Sequence, residues 1–437
     1  MRRILISEAI KRTSKTVKIC GWLSTIRDQG GIEFIILRDN SGVVQLVVTK
    51  SREDLMVICK SLTLESVLEV EGIVKAEKQA PGGVEIIPEK ITVLSLASPG
   101  LPIQVAEKAG KEPSLENRLN WRWLDLRKPE KRLIFQVWTT MEKAFRDYFI
   151  SNGFIEIHSP KTVVTSTESG SELFEIKYFN RKAYLAQSPQ LYKQMAMAAG
   201  FEKVFEVGPV FRANPSFTSR HDTEFTMYDV EISFIESHHD LMNEEEKMMV
   251  AIFSAIKEKY GEEIKRVFGQ EVVVPIIPFP KLTLKEAKKI LAKLGIPNER
   301  GKDLSPEEER AISQYIQEKE EHEFIFIHDW PTSVRAFYSM RVESDSSLSK
   351  TFDLLFKGLE ITSGAQREHR FEQLKKQIKE KGFKIKPFES YLNFFKYGCP
   401  PHGGFAPGPT RILMKIFNIN NVREVTYLYR GVNRLTP

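Results

Sequence analysis

Four groups of polar residues stand in otherwise apolar or Gly-rich stretches of this 437-residue chain. A polar group in a buried strand costs free energy unless it is paired, so such groups mark candidate sites. The first is Ser188-Pro-Gln190-Leu-Tyr-Lys193. Gln190 and Lys193 share a helix face at i, i+3, and the lysine can neutralise a carboxylate. A solvated lysine on a first helical turn is the plainer reading. The second is Phe211-Arg212 with Arg220-His221-Asp222-Thr223-Glu224-Phe225 and Asp229. Arg212 ends the apolar run VFEVGPVF, and a phosphate would offset its burial through bidentate hydrogen bonds. The plainer reading is a structural pair with Glu231 or Asp229. The third is Glu360-Ile-Thr-Ser363-Gly-Ala-Gln-Arg367, whose carboxylate and hydroxyl suit Mg²⁺ and whose arginine then faces an anion. The fourth is His402-Gly-Gly-Phe-Ala-Pro-Gly-Pro-Thr-Arg411, a Gly-rich loop opening a helix. Glycine lets a ligand approach the backbone closely, and Arg411 can grip polyphosphate. The order of the four groups along one chain is more specific than any one of them.

The elements that must position these groups fall into two parts. Residues 1–97 read as five short strands rich in β-branched residues, at 17–23, 32–38, 43–48, 67–75 and 84–94. Turn signals separate them: Asp28-Gln-Gly-Gly31, Asp39-Asn-Ser-Gly42 and Ala80-Pro-Gly-Gly83. With a short helix after the third strand this predicts an OB-type barrel, a fold that often binds oligonucleotides. A docking barrel with no nucleic-acid role has the same pattern. Residues 98–130, with Pro99, Pro102, Pro113 and Pro129, read as an irregular hinge. Residues 131–437 read as an α+β domain built on a mixed or antiparallel sheet. A helix over 131–151 has Ile134, Val137, Trp138, Met141, Phe145, Tyr148 and Phe149 on one face. A helical insertion follows at about 240–320, with helix-start boxes at Thr283/Glu286 and Ser305/Glu308. The segment 398–409 reads as a loop before a last helix at 410–418.

Composition removes several classes. Cys20, Cys59 and Cys399 are far apart, which argues against a disulfide scaffold or structural zinc and fits a reducing cytoplasm. No apolar run approaches the roughly 20 residues of a membrane span. The first residues, MRRILISEAIKRTSK, make a poor signal peptide. A net charge of +6 permits a nucleic-acid partner without requiring one. Walker, GxGxxG-on-helix, HExxH and EF-hand signatures do not occur.

The ordered groups resemble the class II aminoacyl-tRNA synthetases, most closely the aspartyl-tRNA synthetases of archaeal type, over nearly the whole chain. Gly21-Trp22, Arg27-Asp28, Gly30-Gly31, Phe34, Arg38-Asp39, Gly42 and Gln45 look like that family's anticodon-binding barrel. The resemblance implies that Arg27, Phe34 and Gln45 contact the anticodon, Phe34 by stacking. Gly153-Phe-Ile-Glu-Ile-His-Ser-Pro160 looks like motif 1, which implies a homodimer. The resemblance places Glu168, Ser188, Gln190 and Asp229 in an aspartate pocket, with Lys193 and Arg367 holding the side-chain carboxylate. It places Arg212 on the α-phosphate of ATP, Phe225 on adenine, and Arg220, His221, Glu360 and Arg411 around the rest of ATP. Glu360 and Ser363 match its Mg²⁺ ligands. The implied activity is an aspartate–tRNA ligase: aspartate is activated by ATP and passed to the 3′ end of aspartate tRNA, with asparagine tRNA a second candidate acceptor. Arg212 and Arg411 are the implied catalytic arginines, and the implied setting is cytoplasmic, with no membrane.

The chain departs from this family at two acids. Motif 2, Arg-x-Glu, reads Arg212-Ala-Asn214, and motif 3 reads Gly404-Phe-Ala-Pro-Gly-Pro-Thr-Arg411, with Ala406 for a glycine and Thr410 for the acid. The motifs therefore leave room beside the ligase for a divergent paralogue with altered acceptor activity, or a tRNA-binding regulator without catalysis.

Overall fold

The structure is a computed structural model and describes residues 1–106, 112–164, 173–298 and 300–437. Contacts divide it into two compact units, Met1–Arg132 and Leu133–Thr436. The first is built on β1 (Thr16–Asp28), β2 (Ile32–Arg38), β3 (Val43–Thr49), β4 (Val67–Ala76) and β5 (Val84–Ser95). They close into a barrel in the order β1-β2-β3-β5-β4, with the helix Glu53–Ser61 after β3. Alternation does the work: Ile35 and Leu37 of β2 and Val44 and Leu46 of β3 fill the interior, while their neighbours face out.

The stretch read as an irregular hinge carries two short helices, Leu115–Asn120 and Arg122–Asp125, and contacts group its described residues with the barrel unit. The proline count hid one local signal and one long-range pairing. Ser114 caps the first helix by accepting from the Asn117 N–H. Buried Glu65 takes guanidinium bonds at 2.8 Å from both Arg38 and Arg127, and Arg127 also lies over the Trp22 ring. A pairing across 62 residues leaves no trace in a local pattern.

The second unit contains β6 (Ile155–Glu156), β7 (Thr162–Val163), β8 (Glu175–Tyr178), β9 (Arg181–Leu185), β10 (Lys203–Phe211), β11 (Glu224–Ser233), β12 (Lys281–Thr283), β13 (Phe324–Pro331), β14 (Arg341–Val342), β15 (Asp345–Phe356), β16 (Leu359–Gln366) and β17 (His402–Pro407). Strands β7, β9 and β8 form a small sheet. The main sheet runs β12-β13-β15-β16-β17-β11-β10-β6, with β14 on β15. Its inner pairings are antiparallel, and β6/β10 and β12/β13 are parallel. The fold is thus an OB barrel plus an α+β unit, as the pattern predicts.

Within the span read as a helical insertion are the helices His238–Phe268, Leu284–Lys293 and Pro306–Glu320, with edge strand β12 between the first two. Both predicted capping boxes are present. The helices Pro129–Ser151, His238–Phe268 and Pro409–Ile416 contribute to one core with Phe205, Tyr228, Val230, Phe352 and Phe405 of the sheet. Truncating one such buried phenylalanine costs about 3–5 kcal/mol.

One element differs from the reading of the sequence. The Gly-rich segment expected as a loop is strand β17, inserted between β16 and β11. Two adjacent glycines lower strand propensity and so mimic a loop. Here the contact geometry requires both: a Cβ on Gly403 would lie 2.6 Å from the Ala365 carbonyl oxygen. A Cβ on Gly404 would lie 2.0 Å from the Val230 carbonyl oxygen and 2.2 Å from Oε2 of Glu231.

Candidate active site

Alternation along β11 sends Tyr228 and Val230 into the core, and Phe225, Met227 and Asp229 to the other face. That second face lines a cavity of about 520 Å³. Ser188, Gln190, Lys193, Arg212, Arg220, His221, Phe225, Asp229, Glu360, Ser363, Arg367 and Arg411 all line it. Twelve of the thirteen residues singled out for this site therefore converge, from segments as far apart as 188 and 411. The thirteenth, Glu168, lies outside the described residues.

One end of the cavity is a buried charge cluster. Lys193, 2% exposed, lies 3.0 Å from Oδ1 of Asp229 and 3.3 Å from Oε2 of Glu231. Arg367 donates to both oxygens of Glu231 at 3.0 and 3.3 Å, and to the Gly404 carbonyl oxygen at 3.0 Å. Glu231 is fully buried, which alone would raise its pKa, yet Arg367 and Lys193 hold it below the ordinary carboxylate range. The pair expected between Arg212 and Glu231 or Asp229 does not form, because Lys193 and Arg367 take those acids. Arg212 stacks on the Phe225 ring, 5.2 Å from its centroid. Beside the cluster, buried Gln190 has an amide nitrogen with no hydrogen-bond partner. His402 braces β17 from behind. Its Nε2 meets the Gln194 amide at 3.0 Å, Tyr391 donates to Gln194 Oε1 at 3.1 Å, and burial pushes the imidazole down to about 4.

The other end carries hard oxygen donors. Arg411 donates to the Glu360 carbonyl oxygen at 2.8 Å and sits 3.6 Å from its carboxylate. Asp353 pairs with Ser363 across β15 and β16. Burial raises the Asp353 carboxyl to about 6; Arg335 opposes that shift and Glu360 adds to it. Two carboxylates and a hydroxyl placed so that one acid penalises ionisation of another suit a hard divalent cation.

Reading the sequence missed Arg335, Asp353 and Glu309. Arg335 donates to Asp353 at 3.0 Å and to the Ser363 hydroxyl at 3.2 Å, and covers the Trp330 ring at 4.2 Å. Asp353 was findable, since it is a charge inside the apolar run TFDLLF. Glu309 had no local signal. Its carboxylate accepts from Arg220 at 3.0 Å, across 89 residues. It thereby brings an acid to the arginines of a cavity where Asn214 and Thr410 also stand. His221 lies against Ser216 and Thr218, and burial with the arginines Arg411, Arg212 and Arg220 depresses its pKa.

In the barrel unit, Arg27 of β1 lies opposite Phe34 of β2, and Gln45 of β3 lies opposite Ile36. Because Phe34 and Ile36 are two apart on one strand, all three predicted residues share the outward face. Arg27 is exposed and the other two are half-buried.

Comparison with known proteins shows the family. The family described as tRNA synthetases class II (D, K and N) matches residues 114–430, and an OB-fold nucleic acid binding domain matches 17–94. An aspartate–tRNA(Asp/Asn) ligase of Aeropyrum pernix is 44% identical over 96% of this chain and 95% of its own. An aspartate–tRNA(Asp) ligase of Pyrococcus abyssi is 43% identical over 97% and 96%. Among solved structures, asparaginyl-tRNA synthetase from Pyrococcus horikoshii complexed with asparaginyl-adenylate superposes with a TM-score of 0.92 at 32% identity, covering 100% of both chains. Aspartyl-tRNA synthetase from Entamoeba histolytica gives 0.89 at 33% identity, covering 100% of this chain and 93% of that one. The chain belongs to the class II tRNA synthetases of the D, K and N group, an aminoacyl-tRNA ligase family, and carries the OB-fold domain as well.

Proposed function

We propose that the chain is an aspartate–tRNA ligase. Two buried cations, Lys193 and Arg367, converge on the carboxylate of Glu231 beside Asp229, and this carries the reading. Those four charges balance. An incoming α-ammonium placed on Asp229 adds a positive charge, which the side-chain carboxylate of aspartate offsets and the amide of asparagine does not. The orphan Gln190 amide is a further donor for the amino acid.

In the proposed first step an oxygen of the α-carboxylate attacks the α-phosphorus of ATP. The bond to the β-phosphate oxygen breaks and pyrophosphate leaves. Arg212 would hold the α-phosphate, with Phe225 under the base; Arg220, His221 and Arg411 would hold the rest of the nucleotide. Magnesium held by Glu360 and Ser363, with Asp353 beside them, would supply charge neutralisation for the polyphosphate. In the second step a 3′-terminal ribose hydroxyl of tRNA attacks the acyl carbon, and AMP leaves. The protein positions the partners and stabilises developing charge. Cytoplasmic location belongs to the same proposal, supported by three free cysteines. So does a homodimer, supported by the exposed apolar residues Ile150 and Ile155 around motif 1. Among the described residues no helix is long and apolar enough to cross a membrane.

ATP–pyrophosphate exchange is expected to require aspartate and to fail with asparagine or lysine, in a species that sediments at twice the chain mass. Exchange with no amino acid, while tRNA still binds, would overturn the ligase reading in favour of the second, a tRNA-binding regulator without catalysis. That reading rests on Asn214 and Thr410 standing where the family has acids. Transfer measured with both tRNAs separates an aspartate-tRNA enzyme from one that also charges asparagine tRNA. Phe34→Ala is expected to weaken tRNA binding by about 1–3 kcal/mol, the worth of one stacked base. Unchanged affinity in a filter-binding assay would remove Phe34 from the anticodon site.

A further inference from the structure

Three imidazoles meet outside the cavity just described. His238 and His239 are the first two residues of the helix His238–Phe268, fixed there by the Ser237 capping box. His328 lies on β13, immediately before a bulge in the pairing with β15. The bulge residue is Asp329, whose φ of +59° is left-handed. One ring nitrogen from each histidine falls within 4.8 Å of the others. The ring centroids are 4.4, 5.6 and 5.3 Å apart. Asp329 reaches both sides of the cluster, with Oδ1 3.4 Å from His238 Nε2 and Oδ2 3.2 Å from His328 Nδ1.

We propose that His238, His239, His328 and Asp329 form a site for one divalent transition-metal ion of the zinc type.

Four observations carry this. His238 is 6% exposed, and neither of its ring nitrogens makes a hydrogen bond. A buried imidazole serving structure alone would hydrogen-bond through its ring nitrogens, and here Nε2 has only the ion-pair neighbour Asp329 while Nδ1 makes no hydrogen bond. Asp329 adopts a left-handed backbone in mid-strand, a strain that occurs where a bulge re-aims a side chain for a purpose. Among the described residues its ion-pair partners are the two imidazoles, with no lysine or arginine. Three imidazoles and a carboxylate are a borderline donor set. It suits zinc, cobalt or nickel and is poor for magnesium or calcium. Tetrahedral zinc with bonds of about 2.0–2.1 Å needs donor separations of about 3.3–3.4 Å. The donors, within 4.8 Å of one another, would have to close by at most about 1.5 Å to reach that geometry.

The test uses the full chain, stripped with a chelator and titrated with Co²⁺ in excess Mg²⁺, which fills hard oxygen sites. The expected result is one cobalt per chain with the intense visible bands of tetrahedral coordination, displaced by Zn²⁺. His239→Ala changes an exposed residue, so it should fold as the parent does and keep its metal-free melting midpoint. It should bind cobalt at least about ten-fold more weakly and lose the zinc-induced rise in that midpoint. His328→Gln should do the same. Cobalt bound equally well by the double variant, or bound with an octahedral spectrum, overturns the proposal, because the ion then sits on thiolates or carboxylates elsewhere.

Discussion

Arg367→Gln is expected to abolish aspartate-dependent exchange, and adding Glu231→Gln is expected to restore stability without restoring activity. Arg367 gives two hydrogen bonds to a carboxylate with no exposed surface. Removing the guanidinium leaves Glu231 with Lys193 at 3.3 Å as its remaining ion-pair partner. Breaking a buried pair in this way costs about 3–5 kcal/mol, because an ion is left in low dielectric with half its compensation. A loss of activity in the single variant would therefore say little by itself. The double variant removes the stranded charge with a side chain of the same shape, so the denaturant midpoint should return to near that of the parent. Exchange should remain down by roughly 10²–10³-fold, the usual effect of deleting one preorganised donor, with the Michaelis constant for aspartate raised. Recovery of exchange in the double variant would show that Arg367 only balances Glu231 and takes no part in selecting aspartate.

This pair also shows how far residue patterns reach. Lys193 and Arg367 were visible because a charge inside an apolar stretch demands a partner, and both partners, Asp229 and Glu231, lie two apart on β11. The barrel was visible because runs of β-branched residues and Gly-rich turns both point to strands. Strand β17 was not. Its glycines are demanded by the Glu231 carboxylate and the Val230 backbone pressing on Gly404, and propensity reads those same glycines as a loop. Arg335 and Glu309 were invisible for a different reason. Each enters the site through a tertiary contact, Arg335 on Asp353 and Glu309 on Arg220, and neither stands in an apolar run that would flag it. The two family acids replaced by Asn214 and Thr410 were legible as losses. The carboxylate that Glu309 brings to Arg220 became legible only once the chain was folded.

Glu245 is expected to keep its proton at neutral pH and to weaken the fold as pH rises. It lies on the helix His238–Phe268 with no exposed surface, and neither carboxylate oxygen has a hydrogen-bond partner. Burial pushes its carboxyl up to about 8; Asp353 and Glu246 add to the shift and Thr362 opposes it. The sign follows from linkage. The folded form binds this proton more tightly than the unfolded chain does, so the contribution to stability is complete below the ordinary carboxylate range. It is lost progressively as pH climbs through about 8. At about 1.36 kcal/mol per pKa unit, the loss by pH 9 is on the order of a few kcal/mol. Glu245→Gln keeps the shape and has nothing to titrate, so it should match the parent within about 1 kcal/mol at pH 6 and exceed it by a few kcal/mol at pH 9. Asp222 and Asp353, raised to about 7 and about 6, also erode parent stability over this range. Asp222 does not contribute to the Glu245 shift, so it largely cancels in the difference between parent and variant, whereas Asp353, which does, is expected to cancel only in part. Urea midpoints at the two pH values decide the matter, and a constant difference between the two proteins would mean that Glu245 is ionised or solvated throughout.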